Sequence, residues 1–204
     1  MSYIGRQLNL PASTVQLTAE GAIAAGKPCI VEADGDVTEV SGTSASQSTG
    51  SAVVFEAATS ENPSVAYDAN AQKIVIVYPD GGNSSYGTAI VGTVSGSSIS
   101  FGSPVVYNSA NSNFSNVAYD ANAQKVVVVY RDAGNSYYGT AIVGTVSGTS
   151  ISFGSETVFA GNGASNYNAI AYDASAQKVV VAFQDDGNSS HGYAAVGTVS
   201  GTSI

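Results

Sequence analysis

The sequence predicts an all-β fold, and three observations predict it. Val, Ile, Thr, Tyr and Phe suit a pleated, half-buried surface, and here they alternate with Gly, Asn, Asp and Ser, which suit turns. The chain holds 23 glycines, and leucine is nearly absent outside the first twenty residues. No segment carries a sustained helical apolar stripe. Finally, the chain repeats itself: Tyr67, Tyr119 and Tyr172 each open a Tyr-Asp-Ala phrase, spaced 52 and then 53 residues apart.

Residues 1–41 do not repeat. Their short apolar runs, with "ADGD" as a hairpin turn between "PCIVEA" and "DVTEV", predict a small β-module or attachment arm. Residues 42–52 are rich in Ser, Gly and Thr and predict a linker. Residues 53–204 carry three copies of the repeat, the last one incomplete. Between Ser64–Ser103 and Asn116–Ser155, 33 of 40 positions are identical; the third copy is looser and carries one extra residue near Gly163.

Each copy predicts four strands, in the first "SVAYD", "KIVIVYPD", "GTAIVGTVS" and "SISFGSPVVY". The first two are joined by "DANAQK", whose Asp and Asn suit a hairpin. The run "KVVVVY" in the second copy is apolar at consecutive positions, so both its faces should be buried. Four-stranded antiparallel units at a period near fifty describe a β-propeller-like array of blades. An elongated stack of β-modules is the rival architecture.

The repeat boundaries are offset. "VVFEAA", Val53 to Ala58, matches the fourth-strand segments "PVVYNS" and "ETVFAG", while the last copy stops at Ile204 as its own fourth strand begins. Three units fall short of the four to eight blades of an ordinary ring. Either several chains share a ring, with one chain's Val53 segment completing its neighbour's last blade, or the sequence is cut from a longer repeat protein.

Charge and composition exclude several functions. The net charge is −9 with only six Lys and Arg, so the chain lacks the basic face that binding nucleic acid requires. Cys29 is the sole cysteine, which excludes a disulfide within the chain. The N-terminus lacks a basic region followed by an apolar one, so no signal peptide is expected, and no run is apolar enough for membrane insertion as a helix.

Catalytic and metal signatures are weak. His191 is the only histidine, and the equivalent positions hold Tyr86 and Tyr138, so an aromatic that packs or stacks fits better than a triad base. Asp68 with Asn70, Asp120 with Asn122 and Asp173 with Ser175 have spacing that could feed oxygens to calcium, yet the glycine and glutamate of an EF-hand loop are missing. An aspartate accepting backbone N–H bonds in a hairpin explains the same letters. We therefore expect no catalytic residues, no metal and no cofactor.

Comparing the copies gives one lever on function. In a four-stranded meander the second–third loop and the connector to the next copy lie at one end, and in this chain those are the segments that differ. Pro79, Arg131 and Gln184 occupy one position there; Ser85, Tyr137 and Ser190 occupy another. Such a face, rich in Asn, Ser and Tyr, suits carbohydrate or protein recognition. The candidate ligand-binding residues are Asn83, Tyr86, Arg131, Asn135, Tyr137, Tyr138, Asn188 and His191. The plain alternative is drift of unconstrained loops.

The phrase "D-x-G-N-S-x-Y-G" resembles the Asp-box of sialidase-like propellers, departing by one inserted residue and the lack of tryptophan. That resemblance implies the fold and not the activity, since the family's three-arginine cluster has no counterpart in a chain with only Arg6 and Arg131. The whole repeat, "AYDANAQKVVVVYRDAGNSYYGTAIVGTVSGTSISFG", resembles repeats in virion proteins of tailed phages, marine ones especially, and "GAIAAGKPCIVEADGDVTEV" looks like the β-leader that precedes them. What this implies is a non-enzymatic virion structural protein of tail-fibre or appendage type, assembled in a host cytoplasm. It would be attached to other virion proteins through its N-terminal region, would form a homo-oligomer, and would bind a host surface glycan or protein as an adhesin. A carbohydrate-binding module of a cellular protein is the alternative, and a glycoside hydrolase is least supported.

Overall fold

The computed structural model describes residues 18–19, 21–23, 29–39 and 49–204. The chain divides into two compact units, residues 1–47 and 48–204. Most of the expected linker, and much of the expected N-terminal module, lie outside the described residues. Within the first unit, β1 (Cys29–Val31) pairs antiparallel with β2 (Val37–Glu39). The turn forms at "ADGD": Gly35 takes a φ of +92°, a conformation natural to glycine, and Asp34 Oδ1 accepts from the Asp36 N–H at 3.1 Å.

The second unit is built of antiparallel strands, with no α-helix among the described residues. The first copy gives β3 (Ser64–Asp68), β4 (Lys73–Asp80), β5 (Tyr86–Ser95) and β6 (Ser98–Phe101). Next come β7 (Val105–Asp120), β8 (Lys125–Asp132), β9 (Tyr138–Ser147), β10 (Ser150–Phe153) and β11 (Thr157–Ala160). The third copy gives β12 (Ser165–Asp173), β13 (Lys178–Asp185) and β14 (His191–Gly197). Nine strands form one sheet in the order β10-β9-β8-β7-β5-β4-β3, with β11 also on β9 and β6 also on β5. Strands β12-β13-β14 form another, and neither sheet closes on itself.

Local chemistry sets the hairpins. Asp68 Oδ1 accepts from the N–H groups of Asn70 and Ala71 at 3.0 and 2.9 Å. Asp120 and Asp173 do the same in their copies. These carboxylates therefore fold the turn by satisfying backbone donors. In the β5–β6 and β9–β10 turns, Gly96 and Gly148 have φ near +60° at the first central position, as a type II′ hairpin turn needs.

Two departures from the sequence reading matter. The expected fourth strand is two pieces: β6 and the start of β7 both lie on β5, interrupted at Gly102, and β10 and β11 both lie on β9. Gly102 approaches the next copy so closely that a side chain there would collide with the carbonyl of Thr149. Further, β7 is a single 16-residue strand. Its first part pairs with β5 and its second with β8, so the Asn- and Ser-rich connector is itself strand.

The sheets formed by the copies stack face to face. Val75, Val77, Ala89 and Val91 pack against Val117, Val126, Val128, Tyr130 and Ile142. The opposite side of the second copy, Val127, Val129, Ala141 and Val143, packs against Val179, Val181, Phe183 and Ile204. Thus Val126 to Val129 are all fully buried, as the consecutive valines of "KVVVVY" predict. A recurring aromatic pair crosses each copy: Phe55 on Tyr78 at 5.1 Å, Tyr107 on Tyr130 at 5.1 Å, and Phe159 on Phe183 at 5.2 Å.

Candidate functional site

Loops and connectors do converge at one end of the strands. The Gly81 N–H donates to Thr59 O, the Ala133 N–H to Asn111 O and the Asp186 N–H to Ala164 O, at 2.9 to 3.1 Å. Each second–third loop is thereby tied to the segment that leads into its own copy. Asp80, Asp132 and Asp185 anchor these loops, each accepting from the N–H two residues on, at Gly82, Gly134 and Gly187. Asn108 adds a buried donor to Asp132 Oδ1 at 2.9 Å.

Within this end, the register of β7 on β8 shifts between Asn113 and Asn116, and that of β12 on β13 between Asn166 and Ala169. A bulge of this kind re-aims a side chain. It throws Phe114 and Tyr167 into the left-handed region, with φ of 52° and 53°; Asn62, the equivalent residue of the first copy, has 46°. Asn tolerates this conformation, but for a bulky aromatic it is an outlier that costs about 1–3 kcal/mol and collects at functional sites.

The three equivalent positions lie along one open groove of about 380 Å³, lined by Asn62, Pro63, Ser64, Phe114, Ser115, Asn116, Tyr167 and Asn168. The Phe114 and Tyr167 rings sit 4.9 Å apart, and Tyr167 is 70% exposed. The floor is laced together across copies. Ser64 Oγ donates to Asn116 Oδ1 at 3.0 Å, and Asn116 Nδ2 donates to the Asn168 carbonyl at 3.4 Å. Asn168 is 5% exposed, and while its Oδ1 accepts from Ser165 Oγ, its Nδ2 has no partner.

Arg131 braces Phe114. Its guanidinium lies 4.8 Å from the Phe114 ring centre and 5.4 Å from that of Tyr137, a third aromatic in the left-handed region. Nη1 donates to Asn166 Oδ1 at 2.6 Å, and Asn166 Nδ2 donates to Asp186 Oδ2 at 2.7 Å, which links the second copy to the third. The buried Nε has no partner. Since the groove lining has no carboxylate, imidazole or thiol, it offers ring faces, amides and hydroxyls, the chemistry of binding a neutral polar ligand.

Of the eight residues singled out from sequence, the structure brings Arg131 and Tyr137 together. Asn83 and Tyr86 stand on or beside the first loop, Asn135 and Tyr138 on the second, and Asn188 and His191 on the third, one loop per copy. Asn188 Nδ2 is occupied by Asp185 Oδ2 at 3.0 Å. Sequence reasoning missed Phe114, Tyr167 and Asn168, which define the groove. The signal was present: the two most divergent connectors, "NSANSNFSN" and "AGNGASNYNA", each hold one aromatic at the same repeat position.

Among the described residues, no group of three or more His, Cys, Asp or Glu side chains gathers in a way that could hold a metal. No protein-family model, curated protein or solved structure matches this chain.

Proposed function

We propose that residues 53–204 are a propeller-like array of blades, that the protein is a non-enzymatic phage virion component of tail-fibre or appendage type, and that the groove over Phe114 and Tyr167 binds a surface glycan. The single observation that carries the recognition role is the pair of aromatic residues held at positive φ along a polar groove. Rigid rings stack on the apolar faces of sugars at little entropic cost, and flanking Asn and Ser satisfy hydroxyls. A groove of this size suits one or two sugar rings.

The blade reading is supported by strand β7, which runs on from the outer edge of one four-stranded unit to become the first strand of the next. The virion reading rests on the resemblance of the repeat and its leader. Attachment through the N-terminal region and display of the groove by the repeats would make the protein an adhesin.

A glycan array with the purified chain tests the groove. Binding that falls at least about tenfold in Tyr167→Ala supports it, a loss consistent with removal of one stacking ring. No binding to any glycan by the parent chain rejects it. Cryo-electron microscopy of particles tests the location, and protein found in lysate but never in particles would move the chain to the class of cellular carbohydrate-binding modules.

A further inference from the structure

We propose that Asn162 is a site of spontaneous deamidation, and that its conversion releases the third-copy loop from the connector that holds it. The proposal is independent of the glycan reading. It rests on one dipeptide, on its exposure, and on the glycine contact beneath it.

The chain holds a single Asn-Gly pair, Asn162–Gly163. It lies in the connector between β11 and β12, where the third repeat carries its extra residue. Every other asparagine precedes a residue with a side chain, which crowds the approach to its own backbone nitrogen; glycine leaves that approach clear. Asn162 is exposed. Ser109, its nearest counterpart in the second copy, is exposed too, although the third copy packs against the second. Exposure therefore belongs to this place in the repeat.

Both reacting groups are uncommitted. Among the described residues the Asn162 side chain makes no hydrogen bond and the Gly163 N–H donates none. By contrast, the Nδ2 atoms of Asn108, Asn166 and Asn188 donate to Asp132, Asp186 and Asp185. In the reaction the Gly163 nitrogen attacks Asn162 Cγ. An N–Cγ bond forms, the Cγ–Nδ2 bond breaks, and ammonia leaves with the proton from the Gly163 nitrogen. Water then opens the cyclic imide at either carbonyl. Attack at Cγ leaves aspartate. Attack at the backbone carbonyl leaves isoaspartate, whose main chain runs through Cβ and Cγ and is longer by one carbon.

The fold has no room for that carbon. A side chain on Gly187 would strike the Asn162 carbonyl oxygen, and one on Gly163 would strike the Gly187 nitrogen. Connector and loop thus lie backbone against backbone, with glycine on both sides. Beside this contact the Asp186 N–H donates to Ala164 O at 3.1 Å. A longer chain at residue 162 displaces Ala164 from that bond. Both products also add a carboxylate to an acidic corner: Asp185 Oδ1 lies 3.1 Å from where a Gly163 side chain would begin. Asp185 is buried, so the repulsion is little screened. The loosening extends inward, because Asp186 Oδ2 holds Asn166, which holds Arg131 of the second copy.

The test ages the 204-residue chain at neutral pH and maps its peptides by mass spectrometry, beside a control unfolded in guanidinium. Asn162 of the folded chain should convert about tenfold faster than any other asparagine, the mark of a barrier lower by about 1.4 kcal/mol. Earlier conversion elsewhere, or an intact Asn162 once the unfolded control has converted, overturns the proposal. Asn162→Ser, which copies Ser109, should keep the melting temperature of the parent and remove the reaction. Hydrogen exchange reads the consequence. The Asp186 amide should exchange about tenfold faster in the aged parent and at its original rate in aged Asn162→Ser. An Asp186 amide equally protected before and after conversion, or a rise shared by Asn162→Ser, sinks the claim that the loop is released.

Discussion

The Tyr130 hydroxyl donates to Glu156 Oε1 at 2.7 Å, joining the middle of the stack to the start of β11. Tyr78 reaches Glu56 Oε2 at 3.3 Å from the same repeat position, although the two glutamates are not at equivalent positions. In the third copy the residue is Phe183, so the ring is common to all three and the hydroxyl is an addition. Glu156 is exposed, so solvent weakens the bond to its carboxylate, and Tyr130→Phe should cost only about 0.5–1.5 kcal/mol. Tyr130→Ala should cost about 3–5 kcal/mol through the cavity it leaves. Urea unfolding of the two variants measures the difference.

Alkali should unfold the protein through these same rings. Burial raises the hydroxyl pKa values of Tyr107, Tyr78 and Tyr130 well above 10.0, and the neighbouring carboxylates raise the last two further. In the unfolded chain these groups ionise near pH 10. Their contribution is fully present below that pH and is lost as the pH rises above it toward the folded values. The melting temperature should be flat to about pH 9 and fall steeply above pH 10. Tyrosinate absorbance should show these three rings ionising only with unfolding, and Tyr130→Phe should flatten the fall.

Tyr167 separates binding from stability. Its ring is mostly exposed and its backbone is strained, so Tyr167→Asn, which copies the Asn62 of the first repeat, should change stability by no more than about 0.5 kcal/mol. The same variant should lose glycan binding. Thermal unfolding beside the glycan array checks both halves.

Asn108 tests how the variable end is held. It donates to Asp132 Oδ1 at 2.9 Å and to Ser112 Oγ at 3.0 Å. Both acceptors are buried, so Asn108→Ala should cost about 2 kcal/mol, the usual worth of a bond to a charged group. In the third copy Ala160 stands at this position, and Asn188 serves Asp185 instead. Hydrogen exchange should localise the loosening to the 132–138 loop.

Much of the fold was legible because its signals are local. Asp68, Asp120 and Asp173 mark hairpins by their own hydrogen bonds, and four successive valines announce a strand covered on both faces. The continuity of β7 was not legible, since "NSANSNFSN" has loop composition and is held as strand by pairing on both sides. Nor was the left-handed backbone of Phe114 and Tyr167, because no glycine marks it and the bulge that imposes it is a matter of register. Arg131 and Tyr137 could be singled out by differing between copies; the groove beside them depends on three copies lying side by side, which no single repeat encodes.

Strand β7 also decides how the protein would bear tension. Its residues up to Asn111 pair with β5 and those from Ser112 onward with β8, so force passes from one unit to the next with no slack loop between them. A pull along the chain loads the β5 and β8 ladders together, in shear, and many bonds must break at the same moment. The copies would then yield as a block instead of opening one by one like links.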